Sequence, residues 1–267
     1  MILLRSALFN LLFYLNLIIQ MIIFTPAYFL MRREAAWVIP KNWVRSNHWL
    51  LEKVVGTTHT LEGVENIPEG GYIIAPKHQS FWDAYGLLPY LDDPFYILKR
   101  ELMWIPLFGW YVAKMRMVPI NRGSKEKIMP EVLEKTRKQM ADGRQLIIYP
   151  EGTRRTAGAD PDYRFGIARI YTELDVPVMP VAIVAGLFWP RRKFLRYPGN
   201  IKVRFLPPIE PGLDMEAFME RLVATTETAV DELLVEAIRD NPQLPIGEPA
   251  RQRFVELTGE EPGNPAA

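Results

Sequence analysis

The chain contains no cysteine. That excludes a disulfide framework, a thiolate zinc site and any acyl-cysteine intermediate. It contains three histidines, His48, His59 and His78, too few for a histidine-rich metal site. Net charge is also scarce: +1 over 267 residues leaves no global field to draw in nucleic acid. There is no internal repeat and no low-complexity block. Apolar side chains, in contrast, make up 49% of the chain, enough for a sizeable core. The length fits one large domain or two small ones.

Charge is missing altogether from residues 6–31, with Arg5 before the run and Arg32 and Arg33 after it. At about 1.5 Å per residue, a helix of that length matches a hydrocarbon core of roughly 30 Å. Asn10, Asn16, Gln20 and Thr25 interrupt the run, and Pro26 is expected to bend or end the helix. A signal peptide fits poorly, because the apolar part is long and lacks a small-residue cleavage site. Trp37, Trp43 and Trp49 follow, with Lys41, Arg45 and Lys53 among them. This mixture suits a headgroup region. A spanning helix and a helical hairpin lying in one leaflet both satisfy the pattern. If the helix spans, the basic residues after it place the bulk of the protein on the cytoplasmic side.

From about residue 58 short β-rich runs alternate with helical stretches. Residues 58–61, 72–75, 95–98, 146–149, 178–184 and 201–206 read as strands. Residues 124–141 read as an amphipathic helix ending at Gly143, with Pro130 arguing for a break or a late start. Residues 215–239 read as a long helix, and the Pro-, Gly- and Glu-rich tail after Asn241 as loosely ordered. The alternation predicts an α/β fold. The expected divisions are membrane-anchoring helices over 1–55, an α/β domain over 56–240 and a tail over 241–267.

Two short segments carry chemistry. In the first, His78 precedes Asp83 by five residues. On a continuous helix the two side chains would not share a face. They meet if His78 lies in the loop after a strand and a helix starts near Ser80, with Ser80 as its cap and Asp83 in its first turn. Asp83 then accepts from one ring nitrogen and leaves the other free as a base. Taken alone, the short pattern reads first as a structural histidine beside an N-terminal helix acid. The second segment, Glu151-Gly152-Thr153-Arg154-Arg155, follows a buried-type strand, where α/β proteins place ligand sites. Gly152 permits close approach of backbone to ligand, and Arg154 is suited to fork onto a phosphate. Taken alone, it is a solvated basic turn. Between them, Arg122 ends an apolar run and precedes Gly123, as a second phosphate ligand or a surface arginine. Residues 188–197 interleave Arg191, Arg192, Lys193 and Arg196 with Phe188, Trp189, Phe194 and Tyr197. That suits anionic headgroups or an acidic carrier protein, or a solvated loop.

The order His-x4-Asp, an apolar run ending in Arg122, Pro150-Glu151-Gly152-Thr153-Arg154 and then Val176-Pro177-Val178-Met179-Pro180 resembles the glycerolipid acyltransferase family. The likeness is strongest to its bacterial 1-acylglycerol-3-phosphate O-acyltransferases. The run from Lys99 through Trp110 is similar to that subgroup as well, and the resemblance covers roughly residues 55–210. It implies a single catalytic domain with a mixed sheet flanked by helices. His78 would be the general base and Asp83 its partner. Arg122, Glu151, Gly152, Thr153 and Arg154 would form the acceptor-phosphate site, and residues 176–183 would shape a pocket. Asn121 stands where the family often has an acid. The implied reaction moves a fatty acyl group from acyl-CoA or acyl-carrier protein to the sn-2 hydroxyl of lysophosphatidic acid, giving phosphatidic acid. It needs no metal and no bound cofactor, and takes place at the cytoplasmic face of an inner membrane. Lyso-ornithine lipid or another lysophospholipid is the alternative acceptor. A hydrolase using Ser80 would lack a nucleophile-elbow setting. A non-catalytic membrane adaptor would leave the ordered motifs unexplained.

Overall fold

The computed structural model describes residues 1–120 and 125–263. Seven strands, β1 (Thr57–Glu62), β2 (Ile73–Pro76), β3 (Pro94–Lys99), β4 (Val118–Ile120), β5 (Gln145–Ile147), β6 (Val178–Ile183) and β7 (Gly199–Phe205), form one sheet. Their order is β1-β7-β6-β2-β5-β3-β4. Every neighbouring pair is parallel except β6 and β7. The sheet is therefore mixed and flanked by helices, as the resemblance implies. Each of the six expected strand segments falls on a strand.

The centre of the sheet is apolar on both faces because helices cover both. Every residue of β2 and of β6 is buried. Side chains alternate across a strand, so neighbours feed two different cores. Ile73, Leu146 and Val178 join one, and Ile74, Ile147 and Met179 the other. The first core is closed by α5 (Lys125–Ala141) and α6 (Gly166–Leu174). The second is closed by α1 (Ile2–Leu30), α3 (Val38–Leu50) and α8 (Glu248–Thr258). Helix α7 (Met215–Asp240) serves both: Phe218 and Leu222 enter the first core, Leu233 and Leu234 the second. The Asp214 carboxylate caps it, accepting from the Ala217 N–H at 2.8 Å. The remaining helices are α2 (Arg33–Ala36) and α4 (Phe108–Lys114).

Three expectations change. The tail after Asn241 is not loose over its length, because α8 forms there. Ala250 and Phe254 are buried, and Arg253 makes a two-pronged bond to Asp231 of α7. The tail has few apolar residues and a weak period, so packing against α7 rather than propensity holds it. Pro130 does not break α5. Pro26 does not end α1, which continues to Leu30. Tyr28 stacks on Tyr111 of α4 with ring centroids 3.9 Å apart. Lys114 caps the helix end, donating to the Tyr28 carbonyl at 2.6 Å and the Met31 carbonyl at 2.7 Å. Those contacts hold the last turn where a proline has removed a donor.

Helix α1 is also no separate anchor. Phe9, Phe13 and Tyr28 are buried in the same core as β6 and β7. Its polar residues face the domain: Ser6 accepts from the Arg196 N–H at 2.9 Å, and Asn10 donates to the Phe194 carbonyl at 3.3 Å. Asn16 and Gln20 both donate to the Ser46 hydroxyl, at 2.8 and 3.0 Å. The residues that interrupted the apolar run are thus the ones that fasten it.

Candidate functional site

Strands β2 and β5 lie side by side in parallel, so the turns leaving their carboxyl ends face each other. On its other side β2 pairs with β6, and Lys77 extends that pairing by one residue, its N–H donating to the Val181 carbonyl at 2.9 Å. The chain then folds back on itself through a short 3₁₀ turn, Trp82–Ala84. Ser80 precedes this turn, its hydroxyl accepting from the Trp82 N–H at 3.2 Å. The cap position falls on Phe81 rather than Ser80, and the element is one 3₁₀ turn and not an α-helix.

The fold-back brings His78 and Asp83 together. Asp83 Oδ2 accepts from the Gln79 N–H at 2.6 Å, the Ser80 N–H at 2.7 Å and His78 Nδ1 at 3.2 Å. A carboxylate holding two amides is an acceptor, so the proton sits on Nδ1 and Nε2 keeps its lone pair. The Asp83 side chain is 0% exposed and that of His78 13%. The imidazole lies on the Tyr149 ring, centroids 4.0 Å apart, and the Tyr149 hydroxyl donates to the Asp83 carbonyl at 2.8 Å. This stack fixes the ring plane that the carboxylate alone would leave free to tilt.

The second turn, after β5, closes with the Gly152 N–H donating to the Tyr149 carbonyl at 2.9 Å. Gly152 has φ +65°, a left-handed conformation that costs a side-chain-bearing residue about 1–2 kcal/mol. The Arg155 N–H donates to the His78 carbonyl at 2.8 Å, which joins the two turns directly. Gly152 and Thr153 are exposed. Arg154 is half-buried and has no hydrogen bond or ion pair among the described residues, whereas Arg155 donates to the Asp160 carbonyl at 3.0 Å. A guanidinium left without an acid beside an imidazole suits an anionic substrate. Arg191 has its pKa lowered by desolvation and by repulsion from Arg192, Arg154 and Arg155. The arginines of the 188–197 loop therefore add to the same positive field. Arg196 does not, being buried and turned toward α1.

The Acyltransferase family profile matches residues 58–184. A 1-acyl-sn-glycerol-3-phosphate acyltransferase of Pseudomonas aeruginosa is 30% identical over 198 residues, 74% of this chain and 77% of that one. The chain belongs to the 1-acyl-sn-glycerol-3-phosphate acyltransferase family. A chloroplastic member from Arabidopsis thaliana is 28% identical over 72% of this chain and 54% of its own. The crystal structure of the 1-acyl-sn-glycerophosphate acyltransferase of Thermotoga maritima superimposes with a TM-score of 0.72 at 24% identity, covering 87% of this chain and 99% of that one.

Of the residues this family resemblance singled out, His78, Asp83, Gly152, Thr153 and Arg154 converge at the two turns. Arg122 lies outside the described residues. Glu151 is placed differently from expectation. Its side chain points inward, bonding Lys77 Nζ at 3.0 Å with 1% of its surface exposed. A buried carboxylate held by a lysine is not a phosphate ligand; it supports the turn from below. The sequence reading also passed over Lys77, Tyr149, Tyr163 and Glu227. Lys77 had a signal, standing next to His78. Glu227 had none, since it lies 150 residues from the lysine that it meets. His48 and His59 are elsewhere, His48 against Trp82 and His59 bonded to the Tyr90 hydroxyl at 2.6 Å.

Proposed function

We infer that the chain transfers a fatty acyl group from a thioester to the sn-2 hydroxyl of lysophosphatidic acid, forming phosphatidic acid. The observation that carries this reading is His78, its Nδ1 engaged by Asp83, tied by one hydrogen bond to a turn that presents Arg154, which has no ion pair among the described residues. The acceptor phosphate sits on Arg154 and Arg122, with the Thr153 hydroxyl and the open backbone at Gly152 beside it. His78 Nε2 takes the proton of the hydroxyl as its oxygen attacks the thioester carbonyl carbon. Asp83 holds the Nδ1–H tautomer and stabilises the imidazolium that forms. When the C–S bond breaks, the sulfur takes the proton from Nε2 and leaves as a thiol. Ser80, the nucleophile of the rival hydrolase reading, is fully buried, and its oxygen is used by the Trp82 N–H. The donor is a coenzyme A or acyl-carrier-protein thioester.

The acceptor's own chain lies in a bilayer, and the outer side of α1 suits the same place. Leu4, Leu11, Ile18, Ile22 and Leu30 are exposed along it. Trp104, Ile105, Phe108 and Trp110, in and before the helix α4 that packs on its last turns, are exposed as well, Trp104 71% and Trp110 58%. The helix is fastened to the domain from Ser6 to Tyr28. A helix held along its whole length does not leave its domain to cross a membrane. Of the two membrane arrangements, the one in a single leaflet therefore fits, with the cytoplasmic leaflet of the inner membrane as our assignment. The absence of cysteine makes this testable. Single Leu4→Cys and Leu30→Cys variants carrying a lipid-depth-sensitive probe should report equal depth. Labels at opposite faces of the bilayer would refute the arrangement.

Activity is tested by incubating the full chain with labelled acyl thioester and lysophosphatidic acid. Labelled phosphatidic acid is expected. Labelled free fatty acid alone would support the hydrolase, and no product the adaptor.

A further inference from the structure

Beneath the site lies a charged cluster that touches no substrate position. Lys77 Nζ is 3.0 Å from Glu151 Oε1 and 2.8 Å from Glu227 Oε1. The Tyr163 hydroxyl donates to the same Glu227 oxygen at 2.7 Å. The side chains of Lys77, Glu151 and Glu227 are 2%, 1% and 18% exposed. Nothing here is a surface pair, and a buried ionic cluster is weak ground for stability: apolar replacements of such groups are often neutral or better. Its position suggests another use. The four residues come from the exit of β2, the exit of β5, the segment before α6 and the middle of α7. Glu227 lies outside the matched family segment 58–184.

We propose that Lys77, Glu151, Glu227 and Tyr163 act as positioning residues that set the distance between the His78 imidazole and the Arg154 turn. The inference rests on the reading of His78 as the base. Lys77 and His78 share a peptide bond, so a fixed Lys77 side chain restricts the backbone that carries the imidazole. Glu151 and Arg154 share a turn in the same way. Three ties join these turns: the Arg155 N–H to His78 carbonyl bond, the Lys77–Glu151 pair and the Tyr149 hydroxyl to Asp83 carbonyl bond. Glu227 anchors the second tie to α7, and Tyr163 anchors Glu227. The acceptor bridges both turns, its phosphate at one and its hydroxyl at the other. The donor requires only the base side. A small misplacement between the turns therefore falls on the acceptor, and displacements near 1 Å can cost about 10²-fold.

The test uses the full chain in detergent with lysophosphatidic acid, measuring kcat and the KM of each substrate. Glu227→Gln is expected to lower kcat/KM for lysophosphatidic acid about tenfold to a hundredfold while the thioester KM stays within about twofold. Lys77→Met should do the same more strongly, and Lys77→Arg, which keeps the charge, should recover part of the loss. Tyr163→Phe removes one hydroxyl and decides the matter if Glu227→Gln does not fold; a smaller loss in the same direction is expected. Unchanged acceptor kinetics in the folded variants, or equal losses for donor and acceptor, would overturn the proposal. His78→Ala is run in parallel. If it remains active, the base reading fails; if it is inert and Glu227→Gln is unaffected, only the positioning role fails.

Discussion

The turns that leave β2 and β5 are neighbours, and each buries one carboxylate, yet they are assembled on different scales. In the first, Asp83 Oδ2 accepts from groups three, four and five residues away. That carboxylate is held by its own turn. In the second, Glu151 relies on Lys77 across 74 residues, and the turn is further held by the Arg164 N–H on the Pro150 carbonyl. Its fixed shape comes from segments that arrive separately. The consequence is a division of labour. The turn whose carboxylate is held locally carries the base, whose geometry must not drift. The assembled turn presents Arg154, whose guanidinium needs reach more than rigidity.

This division makes predictions that scale from large to small. The largest concerns the first turn. His78→Ala should lower turnover by about 10²–10⁴ with either substrate varied, and Asp83→Asn should act similarly. Wild-type turnover in a folded Asp83→Asn protein would reduce that carboxylate to a turn cap. In the second turn the loss should appear in binding. Arg154→Ala should raise the KM for lysophosphatidic acid about tenfold to a hundredfold, since a charge-assisted bond contributes about 1.5–3 kcal/mol. A rise confined to the thioester KM would move the phosphate elsewhere. Gly152→Ala probes the backbone alone, because an added Cβ meets nothing closer than Arg164 Cγ at 4.0 Å. A destabilisation of about 1–2 kcal/mol in thermal or denaturant unfolding is expected.

Smallest per pH unit are two opposite pH dependences. His48 packs behind the first turn against Trp82, and burial, then repulsion from His59, lowers its pKa from 6.5 to about 3. The unfolded chain gains a proton below 6.5 that the folded chain refuses, so stability is lost as pH falls from 6.5 toward about 3. Glu151, beneath the second turn, has its pKa raised above 4.5 by burial, with Lys77 opposing. The folded chain keeps that proton longer than the unfolded one, so stability is lost as pH rises above 4.5. Each slope is at most about 1.4 kcal/mol per pH unit. His48→Phe should flatten the melting-temperature profile on the acid side and Glu151→Gln on the other. A single variant that flattened both sides would mean the two turns do not respond separately.

Legibility followed the same scale. His78 and Asp83 were readable as a pair because a fold-back within five residues suffices to join them. The central strands β2 and β6 were readable because their apolar runs are continuous under helices on both faces, and β7 because apolar and polar residues alternate along it. The inward turn of Glu151 was not readable: a Glu before a Gly and two Arg looks like part of a ligand loop until its lysine is in place. Helix α8 was missed because its two buried anchors, Ala250 and Phe254, make too sparse a period to stand out in a Pro- and Gly-rich tail. Asn10, Asn16 and Gln20 were visible as interruptions of an apolar run, but their partners at Phe194 and Ser46 were not.

Local order was therefore set by the chain alone: the β/α alternation, the histidine–carboxylate turn and the uncharged N-terminal helix. Each depends on backbone preferences and side-chain periods within a few residues. Tertiary structure decided the rest. It turned Glu151 onto Lys77, brought Glu227 under the site, folded α8 against α7 and laid α1 along the domain. The physical reason is common to all four. A buried charge, an amide in an apolar helix or a sparse apolar stripe is unfavourable until a partner satisfies it, and here each partner lies far along the chain.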